Sequence, residues 1–144
     1  MENSTLKTRI SALWIFMAVA MSAHVVLMNK QRMMQPDLLE EAIAEAEVMG
    51  PAMWVLPALL WLIPLIMAVL SLSLKDSANR LANVVLGIVF TIVNVYHFFQ
   101  CGVPLRETVL EPTLHHILLV GSTVVVTALI AWYAWKWPKP EAES

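Results

Sequence analysis

Four long apolar runs, at residues 10–28, 52–74, 81–100 and 112–135, contain no Lys, Arg, Asp or Glu. Crossing about 30 Å of hydrocarbon takes roughly 20 apolar residues in helical form. Each run is close to that length. Inside lipid every backbone N–H and C=O must find its partner within the protein, which leaves helix as the form a single run can take. β-Branched stretches such as VGSTVVVT in the fourth run do not change this reading. A barrel would need many short alternating strands, and these runs do not alternate.

Composition agrees. Of 144 residues, 59% are hydrophobic and 14% charged, against about 25% charged in ordinary soluble domains. A water-soluble domain of this length buries only part of its surface and could not hide so much apolar area. One domain, residues 1–144, is the natural count. The net charge of −2 offers no basic surface for nucleic acid. The single cysteine, Cys101, excludes an intramolecular disulfide and Cys-based metal motifs.

The first run has a rival reading. Lys7 and Arg9 precede it, and Ala18-Val19-Ala20 resembles a signal-peptidase site. The run continues well past Ala20, however, far enough to span, so it is read as a membrane helix.

The connections carry further information. Residues 36–48 (PDLLEEAIAEAEV) predict a short amphipathic helix opened by Pro36. Leu38, Leu39, Ala42, Ile43 and Ala46 share one face, and Asp37, Glu41 and Glu45 another. Such a helix lies on the membrane surface or caps the bundle. The short turn at residues 75–79 makes spans two and three antiparallel neighbours. The tail at residues 138–144 is polar and expected to be disordered.

Orientation follows from Lys and Arg. With the N-terminus inside, the cytoplasmic face holds Lys7, Arg9, Lys75, Arg80, Lys136 and Lys139, and the outer face holds Lys30, Arg32 and Arg106. Both termini are therefore placed in the cytoplasm. Trp132, Tyr133, Trp135 and Trp137 form an aromatic belt at the inner interface, with Trp54 and Tyr96 at the outer one.

Three strings, KTRISALWIF, NRLANVVLGI and TALIAWYAWKWPKPE, together resemble a family of small uncharacterised bacterial four-helix membrane proteins, a domain of unknown function. The resemblance covers most of the chain in order, and residues 31–49 lie outside it. It implies a four-helix bundle in the bacterial cytoplasmic (inner) membrane. It implies no reaction and no binding residue.

The residues that could carry chemistry gather toward the outer side. His24 lies near the end of span one, His97 near the end of span three, and His115 and His116 near the start of span four. At 1.5 Å per residue each sits about 5 Å below the outer boundary. Imidazoles suit Zn, Cu or Fe, and bundles host such sites on facing helices. Adjacent residues diverge by about 100° on a helix, so His115 and His116 do not easily share one centre. His116 continues the Thr123–Thr127 stripe and is the better candidate ligand beside His24 and His97. His115 is expected to pair with Glu111. Separate interfacial histidines, each reaching water, are the plainer reading.

Span three carries a polar stripe of Asn83, Gly87, Thr91, Asn94 and His97 on one helix face. Interhelical hydrogen bonding explains it most simply; a polar pocket opening outward is the alternative. Pro57 and Pro64, seven residues apart in span two, can kink that helix.

No nucleophile–base pair, phosphate loop or cofactor fingerprint is present, so the chain reads as a binding or accessory module rather than an enzyme. No cofactor is predicted; the alternatives are a metal- or haem-binding redox protein and a small oligomeric transporter or channel. The lipid bilayer is the first partner, and the apolar faces leave room for a homo-oligomer or a membrane partner. The expected architecture is an all-α bundle of four antiparallel membrane helices. A surface helix roofs an outward cavity between spans one, three and four.

Overall fold

The computed structural model describes residues 3–102 and 114–138, with some side chains of the 38–56 and 100–102 stretches not described. These residues form α1 (Asn3–Met34), α2 (Pro36–Met49), α3 (Ala52–Ser73), α4 (Asp76–Gly102) and α5 (Leu114–Trp135). Among them α1, α4 and α5 are long and apolar enough to cross a membrane, and α3 contributes a shorter apolar helix over Pro57–Ser73. The chain is an all-α, multi-pass membrane protein.

Helix α1 is longer than its apolar run, since both polar flanks continue the helix. Its two ends therefore project beyond the hydrocarbon. Helix α3 stays continuous through Pro57 and Pro64. Apolar side chains on α3, α4 and α5 point outward in quantity, among them Leu62, Val69, Ile92 and Leu118. In water that would be an aggregation surface; in lipid it is the solvated face.

Side-chain contacts fix the directions. Lys7, near the start of α1, reaches Leu74 at the end of α3 and Asp76 at the start of α4. His24, further along α1, meets His97 far along α4 and His116 at the start of α5. Helices α1 and α4 thus run parallel, and α3 and α5 run against them.

Packing departs from the expected neighbour order. Helix α5 packs on both α4 and α1, and α1 also packs on α3. Helices α3 and α4 share few contacts, and the hydrogen bonds between them lie near their common turn. Being consecutive in sequence makes them antiparallel but not packed along their lengths, because α1 and α5 supply the apolar partners. Helix α2 leans on α1 and α3, the helices it links. Among the described residues it shares no comparable packing with α4 or α5.

The core sits toward the end that holds the α3–α4 turn. Leu6, Ile10, Trp14 and Met17 of α1 meet Met67 and Ala68 of α3, Phe90 of α4, and Ile130 and Ala134 of α5. Trp14 and Phe90 stack edge to face at 5.5 Å. Trp137 turns inward and closes this core, with only 2% of its surface exposed. It therefore leaves the aromatic belt, in which Trp132 and Trp135 remain outward. Helices α4 and α5 approach closely at Gly87, where a Cβ would stand 2.9 Å from the backbone nitrogen of Ala131. Small residues permit this backbone contact, a common device where lipid supplies no hydrophobic drive.

Candidate functional site

The polar stripe of α4 divides into parts with different roles. Asn83 is fully buried. Its Oδ1 accepts from Trp14 Nε1 at 2.7 Å and from Ser71 Oγ at 3.2 Å. Its Nδ2 donates to the Asn79 backbone carbonyl at 2.8 Å and to Asn79 Oδ1 at 2.6 Å. Asn79 Nδ2 in turn donates to the Ser71 carbonyl at 2.7 Å. This network joins α1, α3 and α4 and satisfies amides that would otherwise be costly in an apolar interior. Asn79 and Ser71 complete it, although neither stood out in the sequence.

Thr91 donates to the Gly87 carbonyl of its own helix, as Thr123 and Thr127 do within α5. The threonines therefore satisfy themselves locally rather than gluing helices. Asn94 is buried and its Nδ2 has no hydrogen-bond partner.

At the other end of the bundle the four histidines draw together. Helix α1 delivers His24, which is 1% exposed. Helix α4 delivers His97, half-buried, with its Nε2 3.4 Å from His24 Nε2. The first turn of α5 delivers His115 and the buried His116. Ring centroids lie 5.4 Å apart for His24 and His97, 4.9 Å for His24 and His116, and 5.9 Å for His97 and His116. His115 also stands 5.9 Å from His24. The 100° divergence of adjacent residues does not separate the pair here, because the His24 ring approaches both. The proposed pairing of His115 with Glu111 lies outside the described residues, as do Arg106, Pro112, Lys139 and the Trp54 and Cys101 side chains.

His116 Nε2 lies 3.3 Å from the Phe98 carbonyl. A carbonyl can only accept, so this contact places the ring proton on Nε2 and leaves Nδ1 with its lone pair. His24 Nδ1 is buried with no hydrogen-bond partner. Among the described residues no three His, Cys, Asp or Glu side chains already stand in metal-holding geometry. What exists is a layer of convergent imidazoles with one close nitrogen pair.

No protein-family model, curated protein or solved structure matches the chain, so the framework resemblance gains no support from these comparisons.

Proposed function

We propose that this chain is a membrane-embedded binding module that takes a transition-metal ion, with Zn²⁺ as the working case, at the layer formed by His24, His97 and His116. The separation of the His24 and His97 Nε2 atoms, 3.4 Å, carries the proposal. An N–H···N hydrogen bond of that length is long. Two nitrogens each about 2.0–2.1 Å from one tetrahedral ion stand roughly 3.3 Å apart. His116 supports the same reading. Ligating imidazoles commonly donate their second N–H to a backbone carbonyl, which fixes the ring and frees the other nitrogen. Its contact with Phe98 has that form. With Nε2 held by that carbonyl, His116 would offer Nδ1 as the third nitrogen beside the pair.

A haem fits less well. Two axial imidazoles on opposite sides of one iron hold their nitrogens about 4 Å apart, with the macrocycle between them. The His24 and His97 nitrogens are closer than that.

In this reading the chain sits in a bacterial inner membrane, as the resemblance implies; the distribution of Lys and Arg supports cytoplasmic termini and an outward histidine layer. The bundle is then an accessory that holds metal at the outer surface of the inner membrane.

The test is metal content. The full chain, purified in detergent, is equilibrated with Zn²⁺, freed of excess ion and analysed by mass spectrometry of the elements. About one ion per chain is expected. His24→Ala and His97→Ala should each lower retention at least tenfold, with the helical circular dichroism spectrum preserved. Retention by both variants equal to the parent chain, or no retention by the parent chain, would overturn the proposal.

A further inference from the structure

At the opposite end of the bundle from the histidines, α4 and the end of α5 flank a half-open hollow of about 310 Å³. Its polar wall is Asp76, Ser77 and Arg80, in the first turns of α4. Its apolar wall is Leu81, Val84, Trp135 and Pro138. Leu81 and Trp135 face outward, where lipid lies.

The charges are arranged for an anion. Arg80 lines the hollow, and one of its guanidinium nitrogens lies 3.5 Å from the Trp135 carbonyl, an exposed contact. That contact engages one of five N–H donors in the planar fork, a shape matched to phosphate. The Asp76 carboxylate, which would repel an anion, is already engaged on both oxygens. Lys7 Nζ sits 2.9 Å from Oδ1, and Asn3 Nδ2 donates to Oδ2 at 2.7 Å. Lys136 directly follows Trp135, outside the lining of the hollow, its ammonium 4.1 Å from the centre of the Trp132 ring. A second cation is thus kept at the same end.

We infer that this hollow is a binding site for the phosphate headgroup of an anionic phospholipid from the adjoining leaflet. The phosphodiester meets Arg80, and one acyl chain follows Leu81, Val84 and the Trp135 ring. A polar head and an apolar groove in this order fit a lipid better than a free anion, because free phosphate would use only the polar half. The site is independent of the histidine layer.

The experiment uses the full chain in nanodiscs of phosphatidylcholine alone or of phosphatidylcholine with phosphatidylglycerol. Lipids retained after gentle release are counted by native mass spectrometry. Preferential retention of phosphatidylglycerol is expected, weakened about fivefold in Arg80→Gln, the weight of one basic residue at an anionic membrane surface. Lys30→Gln, at the other end of α1, should retain the preference. Inorganic phosphate added at millimolar concentration should not displace the lipid. Three results would each overturn the inference: equal retention of both lipids, an unchanged preference in Arg80→Gln, or displacement by inorganic phosphate.

Discussion

The indole Nε1 of Trp14 donates to Asn83 Oδ1 at 2.7 Å, tying α1 to α4 even though the main packing of each is on other helices. Both residues are fully buried. Replacing Asn83 by Leu removes an acceptor shared with Ser71 and leaves the Trp14 donor unsatisfied.

The loss should reach about 1–3 kcal/mol, the usual cost of orphaning a buried polar group. A denaturation curve in mixed micelles measures it. Asn94→Leu is the counterpart. The Asn94 Nδ2 has no partner to lose, so this change should cost far less than Asn83→Leu. Equal losses at the two positions would show that the network adds nothing beyond burial.

Gly87 and Gly121 offer a second comparison on neighbouring helices. At Gly87 a Cβ meets the Ala131 backbone at 2.9 Å, which only a shift of a helix relieves. Gly87→Ala should therefore destabilise the fold by about 1–3 kcal/mol, the range for overpacking. At Gly121 the nearest atom is Phe98 Cε2 at 3.5 Å, an ordinary contact. Gly121→Ala should be close to neutral in the same denaturation assay, and a larger loss there than at Gly87 would contradict the geometry.

The Lys7–Asp76 pair is partly exposed, with side chains 21% and 35% accessible. Exposed pairs contribute about 0.2–1 kcal/mol and weaken with salt. Lys7→Met should produce a loss within that range at low ionic strength, shrinking at 0.5 M salt. A loss that does not change with salt would point to the Leu74 carbonyl contact instead of the charge.

Topology is open to direct measurement. Reporter fusions after Ser144 and at the 74–75 turn should report cytoplasm, and one near Asp37 the outside. An external C-terminus would reverse the assignment of both ends of the bundle.

The gross architecture was legible because apolar run length is a strong signal. Four runs without formal charge allow little besides membrane helices. The shared level of the histidines along the bundle was also legible, since 1.5 Å per residue converts position into height. Azimuth was not. Nothing about residues 20–28 shows that His24 turns inward, because small and apolar residues surround it on every face. The threonines misled in a different way: a hydroxyl reads as a possible interhelical bond, yet on a helix it can bond its own preceding turn. Trp137 lies past the last helical residue of α5, where periodicity gives no direction, so its place in the core is not readable from its neighbours. The sparse α3–α4 seam was hidden as well, because a short loop fixes direction but leaves lateral packing undetermined.

That seam has a consequence for assembly. The turn at residues 74–75 joins two helices that hold each other mainly at their adjoining ends, while α5 binds α1 across the larger internal surface. The covalent link there contributes proximity more than structure. Two polypeptides, 1–74 and 75–144, contain all the side chains that form the interface between them. Inserted into one bilayer, they are expected to find each other and complement, with Trp14 and Asn83 as the polar recognition pair.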